Sequence, residues 1–447
     1  MRQSQTARQT MVCLLVLFCC CCLSGCLMRS PDELYALPQQ SDSYYNLQAE
    51  IEKVVTGTVS YSAPTSGENR QPLQMEDLDG DGKNEAIVFA KDEGERPLKI
   101  FIFKQQDNSF YLASTIEGDG ASFDSVRCIQ MDGSPGMEIV VGRSISNQVQ
   151  KSMSVYSLRE NSTVELLSAN YSAYISCDMD GDGRTDLFLV RFDTESQVGA
   201  VELYRYQSGV ISRDPELSLS DGVDSIKQMI AGYTEAGTPA VFVSGAQEEN
   251  LIATDVFAIR DGALQKIEPT KAVGSATVRG YFAYATDIDD DGLIELPDVE
   301  TPPDLAETGD ADAFRLIHWF NLGLDGTKQY KELTYHDYSA GFYVALDEKW
   351  EGSVTIARSD VDGGTAYTFS KWKGYGQEEE ELFSLYLFSG DDRETLAQAD
   401  GRFLLAEKNE VSYAASLGSG GLADGLTEEL LKERFDFIHV DWNSGEM

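Results

Sequence analysis

The chain has 447 residues, 42% apolar and 25% charged, ordinary for a protein that buries a core and long enough for about three domains. Its 35 Lys and Arg stand against 75 Asp and Glu, a formal charge of −40. Phosphate backbones repel such a surface, so no nucleic-acid partner is expected. The three scattered histidines (His318, His336, His439) leave no HExxH-type zinc site.

At the N-terminus, Arg2 and Arg8 precede an apolar run over residues 11–23. Thirteen residues are too few for the ~20 of a spanning helix and suit the apolar region of a signal peptide. The run ends in Leu23-Ser24-Gly25-Cys26, which resembles a bacterial lipobox. That resemblance implies removal of residues 1–25 as a lipoprotein signal peptide, thioether lipidation of Cys26 and acylation of the new N-terminus. The protein would then sit on the extracytoplasmic face of a bacterial cell membrane, held by lipid. The competing reading is an ordinary signal peptide with a chance cysteine. Of eight cysteines, only Cys128 and Cys177 remain for the fold. The exported compartment allows a disulfide between them, but two buried thiols acting as small hydrophobes are the expectation. Residues 26–45 read as the lipidated tether, rich in turn chemistry. Leu47, Ile51, Val54 and Val55, behind the capping residues Ser41 and Asp42, predict a short helix leading into the first domain.

Three segments then share one pattern. They are Asp77-Leu78-Asp79-Gly80-Asp81-Gly82-Lys83-Asn84-Glu85, Asp178-Met179-Asp180-Gly181-Asp182-Gly183-Arg184-Thr185-Asp186 and Asp287-Ile288-Asp289-Asp290-Asp291-Gly292-Leu293-Ile294-Glu295. Each places acids at positions 1, 3, 5 and 9 and glycine at position 6. Alternating carboxylates on a backbone that curls at the glycine supply the hard oxygens calcium requires, and the residue at position 7 (Lys83, Arg184, Leu293) adds a carbonyl. An EF-hand is rejected: position 12 is Val88 and Leu189 in the first two loops, and only the third has an acid there, Asp298. Short β-type runs, Ala86-Ile87-Val88-Phe89 and Leu187-Phe188-Leu189-Val190, follow the first two loops where a helix is needed.

Degenerate copies fill the gaps. Residues 130–138 keep the frame but lose most ligands, and residues 232–240 keep only a turn and the strand after it. The ninth positions Glu85, Glu138, Asp186, Ala240 and Glu295 lie 53, 48, 54 and 55 residues apart. A near-constant period with several strands per unit predicts propeller blades. A solenoid is the rival, but ring closure leaves fewer exposed sheet edges.

These loops and their spacing resemble FG-GAP/VCBS-type repeats, the calcium-loop blades of integrin-α-like β-propellers. The segment Pro64-Thr65-Ser66-Gly67-Glu68-Asn69-Arg70-Gln71 and Ile294-Glu295-Leu296-Pro297 resemble bacterial surface lipoproteins of this type. The resemblance covers residues 46–338. It implies a mainly β fold, a β-propeller with structural calcium on the rim between blade strands; the five units counted above give about five blades, and the three intact loops about three ions. Three intact loops in five units depart from the seven blades of integrins.

From residue 339 to 447, short strands near 342–346, 354–356, 366–369, 382–388, 403–406 and 411–414 predict a small α+β domain. A helix is expected behind Thr427, burying Leu430, Leu431, Phe435 and Ile438. Gly418-Ser419-Gly420-Gly421 lacks a nucleophile-elbow or phosphate-loop pattern and reads as a turn. The run 378–381 of four glutamates reads as a solvated loop, and the four tryptophans, all beyond residue 300, as core. No catalytic constellation stands out. The expected function is a membrane-anchored binding or scaffold module for a protein or glycan. The alternative is an enzyme acting on envelope or extracellular polysaccharide through a carboxylate pair, which 75 acids do not single out.

Overall fold

A computed structural model describes residues 42–439 and 442, apart from 108, 146–150, 194–197, 249–250, 270–276, 281–282, 301 and 304–313. The expected signal peptide, Cys26 and the tether up to residue 41 lie outside the described residues. Among those described, no helix is long and apolar enough to cross a membrane.

The chain is mainly β, built as a row of antiparallel sheets. Helix α1 (Asp42–Val54) comes first. Sheet 1 contains β1 (Ser60–Tyr61), β2 (Leu73–Glu76), β3 (Glu85–Lys91), β4 (Leu98–Gln106) and β5 (Ser109–Gly118). Sheet 2 is β6 (Ser122–Ile129), β7 (Glu138–Ser144), β8 (Lys151–Arg159) and β9 (Ser162–Tyr171). Sheet 3 is β10 (Ala173–Cys177), β11 (Asp186–Asp193), β12 (Val198–Gln207) and β13 (Val210–Arg213), with β14 (Leu217–Ser218) beside β12. Sheet 4 is β15 (Val223–Tyr233), β16 (Pro239–Gln247), β17 (Leu251–Arg260) and β18 (Ala263–Ile267).

The second long strand of each sheet explains the continuous apolar runs, because it is buried on both faces. In β3, Ala86, Val88 and Ala90 pack on Leu47 and Ile51 of α1, while Ile87 and Phe89 face sheet 2. In β7, Ile139 and Val141 face sheet 1 and Val140 faces sheet 3. In β11, Leu187 and Leu189 face sheet 2, and Phe188 and Val190 face sheet 4. In β16, Val241 and Val243 face sheet 3, and Phe242 faces sheet 5. Period-two alternation thus feeds two interfaces at once. The first face of the row is covered by α1, and among the described residues no buried cluster joins sheet 1 to sheet 5. A closed propeller is therefore not what the described packing displays.

Sheet 5 runs β19 (Leu296–Glu300), β20 (Leu316–Leu322), β21 (Lys328–Asp337), β22 (Phe342–Leu346) and β28 (Phe435–Phe437). It passes straight through the expected boundary at 338/339, since Asp337 of β21 pairs with Phe342 of β22. Sheet 6 follows the order β23 (Val354–Val361), β24 (Gly364–Lys371), β25 (Glu380–Ser389), β27 (Val411–Leu417), β26 (Phe403–Lys408). Sheets 5 and 6 share one core containing Phe342, Trp350, Phe369, Phe383 and Tyr413. Helices α2 (Arg393–Ala397), α3 (Ser419–Ala423) and α4 (Glu428–Arg434) complete it.

Three expectations change here. Thr427 does cap α4, its hydroxyl accepting the Leu430 N–H at 3.2 Å, but the helix ends at Arg434. Phe435 starts β28 instead, because pairing with Val344 buries it in the shared core. The glycines at 418–421 enter α3 where a turn is expected. A Cβ on Gly421 would lie 2.1 Å from the Leu382 carbonyl oxygen, so glycine there permits close packing on β25. Finally, Glu380 and Glu381 of the acidic run belong to β25 and are not loop residues. Trp319, Trp350 and Trp442 are buried, and Cys128 and Cys177 are free thiols that burial pushes up to about 12.

Candidate metal centre

The three intact loops occupy similar places in three sheets: between β2 and β3, between β10 and β11, and inside the Thr286–Glu295 bridge that leads into β19. Each is closed by its own carboxylates. The first-position acid is the hub: Asp77 accepts the N–H groups of Gly80 (2.8 Å) and Gly82 (2.9 Å), and Asp178 those of Gly181 (2.7 Å) and Gly183 (2.8 Å). Asp287 accepts from Asp291 (3.1 Å) and Gly292 (2.9 Å). The turn needs positive φ at positions 4 and 6, met by Gly80 and Gly82 (+74° and +82°). In the third loop Asp290 takes the fourth place at +58°, a conformation that aspartate tolerates better than most residues.

The fifth-position acids Asp81, Asp182 and Asp291 accept the N–H of the seventh residues Lys83, Arg184 and Leu293 at 2.8–2.9 Å. The ninth acids Glu85, Asp186 and Glu295 are buried, and accept the N–H of Leu78, Met179 and Ile288 at 2.8, 3.0 and 3.0 Å. Those second-position side chains are buried beneath the loop, which pins it to the sheet.

Carboxylate oxygens converge in each loop. One oxygen each from Asp77, Asp79 and Glu85 lies within 4.8 Å of the others; so do those of Asp178, Asp180 and Asp186, and those of Asp287, Asp289 and Asp291. Asp81 and Asp182 stand outside these sets, as does Glu295 in the third loop. All nine donors are carboxylates, the set that suits a hard cation such as calcium and not zinc or copper. Burial, reinforced by the neighbouring acids, pushes Glu85, Asp186 and Glu295 each up to about 7. A divalent cation would remove that penalty.

A further layer escaped the sequence reading. The residue after each ninth position pairs across the sheet with an aromatic ring: Ala86 with Phe103, Ile139 with Tyr156, Leu187 with Tyr204, Val241 with Phe257 and Leu296 with Phe320. The next residue along that facing strand therefore looks at the ninth position. It is Lys104, Ser157, Arg205, Ala258 and Asn321 in turn. Lys104 bonds Asp79, Arg205 bonds Asp180 at 3.2 Å, and Asn321 donates to Glu295. Where the ninth acid has become Ala240, the facing residue is Ala258, and both are buried. A signal existed: Lys104, Ser157 and Arg205 each lie 19 residues past the ninth acid.

Neighbouring loops also touch, in a row along the sheets. Thr185 N–H donates to the Gln130 carbonyl at 2.7 Å and Ile294 N–H to that of Tyr233 at 3.0 Å, so an intact loop braces the degenerate one before it. A Cβ on Gly136 would lie 2.2 Å from the Leu78 carbonyl oxygen, so the degenerate turn 130–138 sits hard against the first loop.

No protein-family model matches the sequence, and no curated protein matches it. Solved structures resemble it distantly, two of them as follows. An exotype rhamnogalacturonan lyase, YesX, has a TM-score of 0.33 and 12% identity over 70% of this chain and 68% of its own. The periplasmic gluconolactonase PpgL of Pseudomonas aeruginosa has a TM-score of 0.29 and 11% identity over 71% of this chain and 86% of its own. Likeness this slight leaves function to be read from the loops themselves.

Proposed function

We propose that the chain is an extracytoplasmic lipoprotein, anchored through Cys26, whose calcium-stabilised blades form a binding or scaffold module for a protein or glycan. The blades are of the β-propeller type, and about three calcium ions serve as structural staples. One observation carries the calcium reading: three carboxylate clusters recur at similar turns of three sheets, each closed by backbone N–H groups of its own loop. Acids so engaged suit holding an ion between strands. Asp77, Asp79 and Glu85, with their counterparts Asp178, Asp180, Asp186 and Asp287, Asp289, Asp291, would hold it, and the ion would supply the charge that a buried carboxylate lacks.

Calorimetric titration of residues 27–447 with calcium tests this, beside a thermal melt in chelator. About three sites and a large calcium-dependent rise in melting temperature are expected; no heat and an unchanged melt overturn the calcium reading. Metabolic labelling with an alkyne fatty acid, lost in Cys26→Ser, tests the anchor. A panel of glycans, screened for binding and hydrolysis in millimolar calcium, separates a binder from an enzyme.

A further inference from the structure

We propose that the side chain facing each ninth acid grades the three loops, so that they take calcium in the order third, first, second. This rests on the calcium reading above and goes beyond it by ranking the sites.

In the third loop the facing residue is neutral: Asn321 donates to Glu295 and brings no charge. Its cation, Lys331, comes from the adjacent strand β21, is 28% exposed, and rests on Asp291 at 2.7 Å. An ammonium on a flexible stem at the surface gives way at little cost. In the first loop the cation is Lys104, only 14% exposed, and Asp79 is its carboxylate partner. It must be displaced, but its stem lets it swing toward the Glu160 carbonyl, already 3.4 Å away.

The second loop differs in kind. Arg205 is 5% exposed and is clamped by Asp214, through Nε at 3.2 Å and Nη2 at 2.7 and 2.8 Å. The Gly262 carbonyl takes a further bond at 3.1 Å, and Asp214 is itself held by the Leu264 N–H at 2.9 Å. The remaining Nη1 reaches Asp180. This guanidinium cannot leave and does not deprotonate. A fixed positive charge thus occupies the carboxylate that a calcium ion needs, and the second loop carries an internal cation of its own.

The test uses the full lipid-free chain, residues 27–447, titrated with calcium by calorimetry. Asp287→Ala should remove the tightest binding event and Asp178→Ala the weakest. Lys104→Asn, which copies the third loop into the first, should tighten one site by about tenfold, and Asn321→Lys should weaken one by a similar factor, the size expected for one added charge beside the ion. The last two changes keep each loop's carboxylates, so they carry the test if a loop deletion unfolds the protein. Three equal sites, loss of the tightest event in Asp178→Ala, or no change in Lys104→Asn and Asn321→Lys overturns the ranking and leaves the calcium reading standing. No calcium heat in the unaltered chain overturns both.

Discussion

Sheets 1–4 and the paired sheets 5 and 6 solve the same problem by different means. In the first region each sheet uses strands consecutive in the chain, and its buried strand divides aliphatic residues and single phenylalanines, such as Phe89, Phe188 and Phe242, between two interfaces. Its turns carry two of the three acid clusters, and the third leads into β19 of sheet 5. In the second region large aromatics are concentrated in one core, with Phe369 stacked on Phe383 at 4.4 Å and Phe342 on Phe435 at 5.6 Å. Strand β28 returns across some ninety residues to close sheet 5. The first design is local and leans on its loops; the second is non-local and leans on its core. Stability should therefore depend on calcium through the first two loops in the first region and mainly on aromatic packing in the second, where only the third loop adds a calcium term.

Calcium provides the largest test of that contrast. Each loop filled at 100-fold excess over its dissociation constant adds about 2.7 kcal/mol. In Asp287→Ala, which removes calcium from the loop packed on Trp319 through Ile288, scanning calorimetry should show a transition that calcium still raises steeply, while unfolding followed by tryptophan fluorescence, whose sources all lie at or beyond Trp319, moves less. Equal movement of both signals would break the distinction.

The same acids set a pH dependence. Glu85 and Glu295 have an ordinary value near 4.5 and Asp186 near 3.8, and each is raised to about 7 in the fold. Between those limits the folded state binds more protons than the unfolded one, so without metal the protein loses stability as pH rises toward 7. Urea melts in chelator at pH 5 and 7 check this, and calcium should reverse the trend.

Phe342→Ala should cost about 3–5 kcal/mol, because the ring is fully buried in the shared core. Its calcium stoichiometry should stay unchanged. Gly136→Ala tests the row of loops: the new methyl meets the Leu78 carbonyl, and an overpacking cost of about 1–3 kcal/mol is expected, with weaker calcium binding in the first loop. Thr427→Ala should cost only about 1 kcal/mol by removing the cap of α4, with no effect on calcium.

Much of the first region was legible in residue order. Acids at alternate positions with glycine at the sixth mark the loops, and the apolar runs behind them mark the doubly buried strands β3, β7, β11 and β16. Leu47 and Ile51 announced α1, though not that it covers the outer face of sheet 1. The facing residues Lys104, Arg205 and Asn321 were harder to see, since a lone lysine or arginine in a strand reads as solvent-exposed until register aligns it. Phe435 fitted a helical face as well as a strand, and pairing with Val344 decided between them.

The sequence by itself determined the loops, their period and the strands that follow, because those patterns need only neighbours along the chain. Tertiary structure alone decided which side chain looks into each loop, how Arg205 is locked by Asp214, and that β21, β22 and β28 share a sheet. Each of these depends on strand register or on contacts between distant segments, where the free energy comes from what is buried together and not from what is adjacent in sequence.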